Sequence, residues 1–201
     1  MFKIYMNAML MAITVGIYAA PAGAVDQSAA ELVGERCGAC HGARGQSTSP
    51  IFPSLAGQNP QYIIKQLQDF QSKKRASDTM APQVLGLNPK NIVELAELFA
   101  AMPARVGRVG DEELLAVGRY IYNKGNTWSG VPPCASCHGA NAHGTATLPR
   151  LAGQNARYLT SQLQDFNQRA RTNDNEVMHL VASRLTELEL KAVTDYLTQL
   201  P

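Results

Sequence analysis

The spacing of apolar side chains along the chain predicts helices and gives little support to strands. Between residues 61 and 74, apolar side chains recur at intervals of three and four, and Gln66 is the polar exception on that face. A second apolar stripe of the same period begins at Ile92 and ends at Met102. An Asn-Pro pair precedes each stripe, at residues 59–60 and 88–89, which predicts Asn as the N-cap and Pro in the first turn of each helix.

The same pattern occurs twice, so the chain is predicted to be an internal duplication. Two segments recur unchanged, LAGQN at residues 55–59 and 151–155 and QLQDF at residues 66–70 and 162–166. Both copies also end alike, in LFAAMP and in YLTQLP. We place the boundary in residues 104–110, a short glycine-containing linker, which gives one unit at 25–105 and another at 106–201.

Each unit is predicted to be all-α, with three helices and long loops. In the first unit, a helix is expected to run through residues 26–37 to the first cysteine. Helices of the second unit are expected at residues 111–123, at about 156–170, and from the capping box of Thr186 and Glu189 to Leu200. Three helices make a thin core for a unit of this size, so a sizeable apolar group is expected to fill part of each core.

The first 24 residues differ from the rest and are predicted to be a signal peptide. Lys3 is followed by an apolar run at residues 9–20, and Ala22-Gly23-Ala24 fits the small-x-small rule for signal peptidase. We therefore expect cleavage after Ala24, with a cut after Ala22 as the second choice. The alternative, an uncleaved membrane anchor, is disfavoured because the run is shorter than the ~20 residues of a spanning helix. The mature chain is expected in the periplasm.

The net charge and the cysteine pattern limit the functions that the chain can have. The chain has 201 residues and a formal net charge of +2, which is too small to indicate nucleic acid as a partner. Its four cysteines form two Cys-x-x-Cys pairs, and each pair is followed directly by a histidine. In an oxidising compartment such a pair tends to close into a disulfide unless another group holds it.

The sequence Cys-x-x-Cys-His, at residues 37–41 and 134–138, is the attachment signature of c-type haem. Two thiols add across the two vinyl groups of the porphyrin, which requires a short fixed spacing, and the adjacent histidine reaches the iron from one side. The motifs therefore predict two covalently attached haem c groups. The residues that hold them are Cys37, Cys40 and the proximal ligand His41 for the first haem, and Cys134, Cys137 and His138 for the second.

Two other uses of the cysteines are alternatives. A zinc site would need four ligands, most simply all four cysteines together, but it leaves the following histidine unexplained in both copies. A thioredoxin-like redox pair needs a βαβ context, and the sequence pattern contains none. Two motifs in register within a duplicated, exported chain favour haem over both.

Two methionines are the predicted second axial ligands. Met80 and Met178 lie 39 and 40 residues beyond the histidines of their own motifs, between the middle and last helices. Met102 aligns with the end of the last helix in the second unit, so we expect it to pack in the core. His179 is a rival ligand for the second haem, although its counterpart in the first unit is an alanine. His143 has no counterpart and is expected in a surface loop.

The tandem units resemble the dihaem cytochrome c4 family from about residue 26 to the end, since each has Cys-x-x-Cys-His, Pro-x-Leu-Ala-Gly-Gln, a tyrosine-led helix and a late methionine. The resemblance implies two tandem class I cytochrome c domains in a pseudo-twofold arrangement, with haem propionates near the interface. It also implies that the carbonyl of Pro53 or Pro149 accepts a hydrogen bond from the ligating histidine. The alternative is that these prolines only shape the loop. Basic segments at residues 72–75 and 168–171 are either cations for the propionates or solvated helix ends.

With the four porphyrin nitrogens, an axial histidine and an axial methionine fill all six positions on iron, and this favours electron transfer over substrate turnover. We expect a periplasmic carrier that takes electrons from a quinol-oxidising complex and passes them to a terminal oxidase or another reductase, and that is not itself an enzyme. The alternatives are an electron-accepting subunit of a flavoprotein dehydrogenase and a dihaem enzyme of the peroxidase or thiosulfate-oxidising type. Expected partners are membrane respiratory complexes or other redox proteins. No small-molecule substrate is expected, and a loose association with the membrane is left open.

Overall fold

The computed structural model describes residues 27–105, 107 and 112–201, and the regular structure in these ranges is helical. The predicted signal peptide at 1–24 lies outside them, as does most of the predicted linker at 104–110. Among the residues described, no helix is long and apolar enough to cross a membrane. The helices are α1 (Ala29–Leu32), which continues as a π-helix (Val33–Cys37) into α2 (Gly38–His41), α3 (Pro60–Gln71), α4 (Pro89–Ala101), α5 (Glu112–Lys124), α6 (Ala135–His138), α7 (Ala156–Asn167), α8 (Val177–Ala182) and α9 (Glu187–Gln199).

Each unit packs its helices around its own core. In the first unit, α1 and α3 both pack against α4; in the second unit, α5 and α7 both pack against α9. The first core includes Ile63, Leu95 and Phe99, and the second includes Leu159 and Val193, all of them buried. The prediction of an all-α fold made of two repeated units is confirmed.

The first turns of the helices are fixed by polar side chains. Thr186 Oγ1 accepts a hydrogen bond from the Glu189 N–H at 3.3 Å, and the Thr186 N–H donates to Glu189 Oε2 at 2.9 Å, so the predicted capping box of α9 is present. Asn88 and Asn91 form the same reciprocal pair at the start of α4. Asn59 stands directly before α3 as predicted, but its side chain accepts no hydrogen bond from that helix. Asn59 is therefore the N-cap residue of α3, as predicted, but its side chain makes no capping hydrogen bond.

Thr186→Ala is expected to lower the free energy of unfolding by about 1 kcal/mol, because the Glu189 N–H loses its acceptor. Asn126 donates to Glu189 Oε1 at 2.7 Å, so the same carboxylate also ties α9 to the segment after α5. Denaturant unfolding of the holoprotein measures the loss. Thr186→Ser keeps the hydroxyl and should retain most of the stability; an equal loss in the serine variant would contradict the capping argument.

The middle helices end earlier than the sequence predicts, and both end in the same way. α7 stops at Asn167 rather than near residue 170, and α3 stops at Gln71. Two residues after each end, the backbone turns into the left-handed region, at Lys73 (φ 60°) and Arg169 (φ 57°). A residue in this conformation cannot continue a right-handed helix, so the chain reverses there in both units.

The second unit has a tight turn directly before its cysteines, where the first unit has continuous helix. Asn126 and Val131 exchange backbone hydrogen bonds of 2.8 and 2.9 Å as an isolated antiparallel bridge. Gly125 has φ +70°, and a Cβ there would lie 2.2 Å from the Val131 carbonyl oxygen, so only glycine fits. Trp128, within this turn, is 97% exposed. The one tryptophan of the chain thus stands on the surface beside the second cysteine motif.

Candidate cofactor sites and the interface between the units

Each Cys-x-x-Cys-His motif is wound into a single helical turn. Cys37 and Cys134 stand at the N-caps of α2 and α6, whose last residues are the two motif histidines. In the second unit, the His138 N–H donates to the Cys134 carbonyl at 2.9 Å, which closes the turn. The next residue is Gly42 or Gly139, with φ of 82° and 80°, where the chain leaves the helix. Both thiols and the imidazole of each motif therefore project from one compact turn.

The motif histidines are held by backbone carbonyls. His41 Nδ1 lies 2.8 Å from the Pro53 carbonyl oxygen, and His138 Nδ1 lies 3.3 Å from that of Pro149. Because a carbonyl oxygen only accepts, Nδ1 carries the proton in both rings and Nε2 keeps a lone pair for a metal. The two side chains are buried, and burial lowers the pKa of each imidazole, opposed by the bond to the proline carbonyl. At neutral pH both rings are in the neutral form that ligates iron.

The cysteines fit haem attachment better than zinc. None of the four forms a disulfide. Across the described parts of both units, no group of three or more His, Cys, Asp or Glu side chains is placed to hold a metal ion, so the four cysteines do not form a shared site. Burial raises the pKa of the Cys37 thiol, and raises that of Cys134 to about 11. Paired thiols beside an imidazole with a free Nε2 suit a haem c group.

The predicted methionine ligands occupy different local structures. Met80 is half-buried against the core of the first unit, and its N–H donates to Ser77 Oγ at 3.2 Å. Met178 is the second residue of α8, and its N–H donates to Asp174 Oδ2 at 2.6 Å. Met102 packs against the first core, which confirms the prediction that it is a core residue. The short helix α8, which carries Met178, was not predicted from the sequence.

The two remaining histidines are engaged by backbone atoms. His179 Nδ1 lies 3.0 Å from the Phe166 carbonyl oxygen at the end of α7. His143 is exposed, as predicted, and its Nε2 lies 3.1 Å from the carbonyl oxygen of Pro201. A carbonyl bond at Nδ1 of His179 leaves its Nε2 free, as in the motif histidines, so His179 stays a rival to Met178.

The repeated segment LAGQN joins the two units through paired glutamines. Gln154 Oε1 accepts from the Ser54 N–H at 2.8 Å, and its Nε2 donates to the Ser54 carbonyl at 2.9 Å. Gln58 does the same to Arg150, accepting from its N–H at 2.7 Å and donating to its carbonyl at 3.0 Å. Ser54 and Arg150 directly follow the prolines that hold the motif histidines. The interface therefore fastens the segments that orient the two imidazoles.

The asparagine that ends this segment extends the same pattern. Asn59 Nδ2 donates to the Leu148 carbonyl at 2.6 Å and to that of His143 at 3.1 Å. Asn155 Nδ2 reaches the equivalent segment of the first unit, where it donates to the Phe52 carbonyl at 2.7 Å. This contact explains why the Asn59 side chain makes no capping hydrogen bond to α3: it crosses to the other unit.

Two arginines cross the interface between the middle helices. Arg171 Nη2 donates to Tyr62 Oη at 3.1 Å and to Gln66 Oε1 at 3.1 Å. Arg75 Nη2 donates to Tyr158 Oη at 3.2 Å, and also to the glutamine of α7 that matches Gln66. Neither arginine is a solvated helix end. Gln66, the polar residue in the apolar stripe of α3, therefore accepts a hydrogen bond from an arginine of the other unit. The sequence indicated a specific role for this glutamine because the same residue recurs in the second copy.

Comparison with known proteins identifies the family. The cytochrome c family model matches residues 27–125 and again 122–201. Cytochrome c4 of Thiocapsa roseopersicina is 41% identical over 165 residues, which cover 80% of this chain and 85% of the relative. The thiosulfate dehydrogenase electron acceptor of Stutzerimonas stutzeri is 35% identical over 177 residues, 85% of this chain and 81% of the relative.

A solved structure gives the same result. The crystal structure of reduced recombinant cytochrome c4 from Pseudomonas stutzeri superposes with a TM-score of 0.78 at 34% sequence identity, covering 82% of this chain and 93% of that one. Two cytochrome c domains, each with its own Cys-x-x-Cys-His turn, imply two covalently bound haem c groups. The chain belongs to the dihaem cytochrome c4 family.

Proposed function

We propose that this protein is an exported, periplasmic carrier of single electrons between membrane respiratory complexes, from a quinol-oxidising donor to a terminal oxidase or another reductase. The observation that carries the proposal is the duplicated histidine site, in which each ring is held by a proline carbonyl and the N–H of the next residue is bonded to a glutamine across the interface. Two rigid metal-ligating sites in one compact chain suit a carrier, because electron transfer is fastest when the ligands move little between oxidation states.

We assign the site residues as the sequence motifs predict. When bound, each haem supplies one reversible one-electron step between the ferric and ferrous states. The covalent attachment points are Cys37, Cys40, Cys134 and Cys137. The axial ligands are His41 and Met80 in the first unit and His138 and Met178 in the second. Pro53 and Pro149 orient the imidazoles through their carbonyl groups.

The first test is attachment. The denatured mature protein is expected to keep the mass of two haem groups and to offer no thiol to an alkylating reagent, because all four sulfurs would be thioethers. Intact-mass spectrometry under denaturing conditions measures both. Sequencing the N-terminus of the same exported material should give Val25 as the first residue. One haem per chain, or haem lost on acid–acetone extraction, would refute the assignment of the four cysteines.

The second test is the carrier role. We expect two resolvable one-electron steps in a redox titration, because the surroundings of the two histidines differ: the His41 and Phe52 rings meet edge-on, with centroids 6.4 Å apart, whereas the second unit has Leu148 at the matching position. The reduced protein should bind little carbon monoxide near neutral pH and should be oxidised rapidly by a haem-copper oxidase preparation. Stoichiometric carbon monoxide binding together with catalytic consumption of peroxide or thiosulfate would favour a dihaem enzyme instead.

A second candidate role is that of an electron-accepting partner of a dehydrogenase. It is favoured by the similarity to the thiosulfate dehydrogenase electron acceptor of Stutzerimonas stutzeri. In that role the same two sites carry electrons, and only the donor differs. Purification from the host distinguishes the roles: co-purification with a dehydrogenase, and reduction only when its substrate is supplied, would favour the acceptor, whereas reduction by a quinol-oxidising complex would favour the carrier.

A further inference from the structure

Two segments carry the predicted methionine ligands, and each lies between the middle and last helices of its unit. We call residues 77–87, with Met80, and residues 174–185, with Met178, the methionine segments. Two axial ligands approach a haem iron from opposite sides, so a methionine stays bound only while its segment keeps a fixed distance from the histidine of the same unit. Contacts that join a methionine segment to the cysteine motif therefore bear directly on ligation.

Each methionine segment is joined by one arginine to the part of the chain that enters the cysteine motif of its unit. In the first unit, Arg36 Nη1 donates to the Leu85 carbonyl at 2.9 Å. Arg36 directly precedes Cys37. In the second unit, Arg184 Nη1 donates to the Gly130 carbonyl, in the turn before the second motif, at 2.8 Å. Both bonds thus connect the side of the unit that carries the histidine to the side that carries the methionine.

The two arginines occupy different places in the repeat. The position that matches Arg36 in the second unit is Pro133, and the position that matches Arg184 in the first unit is Gly86. Neither proline nor glycine has a side-chain donor. Each unit therefore makes the bond from the opposite segment, yet the same two parts of the unit are connected. A contact that is present in both copies, although its donor has changed sides, points to a requirement for the contact itself.

The first methionine segment has a second attachment, at the end of α3. Gln71 Nε2 donates to the Val84 carbonyl at 3.1 Å and to the Leu87 carbonyl at 2.8 Å. Val84 and Leu87 are buried in the core of the first unit. Their carbonyls flank Leu85, the acceptor of Arg36, so the motif and α3 hold the same short stretch of the segment from two directions.

We infer that Arg36 and Gln71 are positioning residues for Met80. Arg184 has the same role for Met178. The inference rests on the proposed axial ligands, and each of the three side chains acts by fixing the segment that carries the thioether rather than by touching the iron. With the bonds in place, an outside ligand competes poorly with the methionine. When a bond is removed, the open form of the segment is more populated and the competing ligand binds more tightly.

Imidazole titration of the oxidised holoprotein tests the inference, because imidazole binds ferric haem where the methionine has left. Met80→Ala removes the competition at the first haem and so identifies the titration of that haem. Arg36→Leu is expected to raise the imidazole affinity of the first haem about fivefold, the effect of one lost hydrogen bond. Gln71→Leu removes two bonds and should raise it further. Neither variant should change the second haem, whereas Arg184→Leu should raise the affinity of the second haem alone.

Matched controls separate the hydrogen bonds from charge and from the surface of the helix. Arg44→Leu removes the same charge three residues after His41, where the arginine is exposed and forms no hydrogen bond with the described residues. Gln68→Leu changes an exposed glutamine of α3, three residues before the one that binds the segment. Both controls should titrate as the unmodified protein. Arg36→Lys keeps the charge and a donor, so its affinity should return towards that of the unmodified protein.

The outcomes distinguish the inference from the ligand assignment. If Met80→Ala raises the imidazole affinity but Arg36→Leu and Gln71→Leu match their controls, the inference is wrong and the assignment stands. An equal rise at both haems in these variants would show a general loosening of the fold and would also overturn the inference. If Met80→Ala changes neither imidazole binding nor the thioether charge-transfer absorption, the assignment of Met80 fails, and the inference fails with it. Testing the two bonds in separate variants guards against one that does not fold.

Discussion

Met80→Ala and Met178→Ala are each expected to lower the reduction potential of one haem and to let that haem bind carbon monoxide. The thioether stabilises the ferrous state, and its removal leaves an open or water-filled position on iron. The measurement is the weak charge-transfer absorption near the red end of the oxidised spectrum, which thioether ligation produces. Each variant should lose about half of this absorption if, as we propose, each methionine ligates one of the two haems.

Met102→Ala is the matched control, because Met102 packs against the core at the C-terminal end of α4. It should lower stability while the charge-transfer absorption remains. His179→Ala separates the rival ligands in the second unit, where the ring is already held by the Phe166 carbonyl. Loss of a haem–ligand signature in His179→Ala, with none in Met178→Ala, would overturn the assignment of Met178.

Arg171→Leu is expected to lower the free energy of unfolding by roughly 3 kcal/mol. The side chain is 8% exposed and donates to Tyr62, to Gln66 and to Gln162 Oε1 at 2.8 Å. Leucine fills part of the volume but leaves three acceptors, of which Gln66 is buried, with one donor fewer across the contact that joins the units. Denaturant unfolding of the holoprotein, followed by haem absorbance, measures the loss.

Arg169→Leu is the control for this prediction. Arg169 lies two residues earlier in the same segment and is exposed; among the described residues its ion pair is with Glu176, through Nη1 and Oε1 at 2.6 Å. An exposed ion pair contributes about 1 kcal/mol or less, so this variant should stay close to the unmodified protein. Equal losses in the two variants would show that Arg171 contributes no more than a surface charge does.

Sequence reasoning succeeded where the cause is local. The capping box of Thr186 and Glu189 depends on residues three apart, and it is present where predicted. The period of the apolar side chains likewise predicted the middle and last helices of both units. The two Cys-x-x-Cys-His motifs could be read directly, because the chemistry of attachment requires that spacing.

The sequence did not predict the roles of side chains whose hydrogen-bond partner lies far away in the chain. Asn59 is followed by proline and has the local signature of an N-cap, but its amide binds carbonyls of the other unit. Gln66 looked like an exception in an apolar stripe, and it accepts from Arg171 across the interface. In both cases the deciding partner lies more than 80 residues away in the chain. The helical period carries no information about such a partner.

The reciprocal bonds of Gln58 and Gln154 make the contact between the units isologous, with the same patch used on both sides. One copy of the unit would therefore present a self-complementary surface to a second, separate copy, and their pairing would depend on protein concentration. The predicted linker at 104–110 would remove that dependence, because a short tether keeps the partners at an effective concentration on the order of millimolar. It also lets matching positions diverge, as Ser54 and Arg150 have done. A homodimer must change both copies at once, whereas the fused chain can give its two ends different surfaces for two different partners.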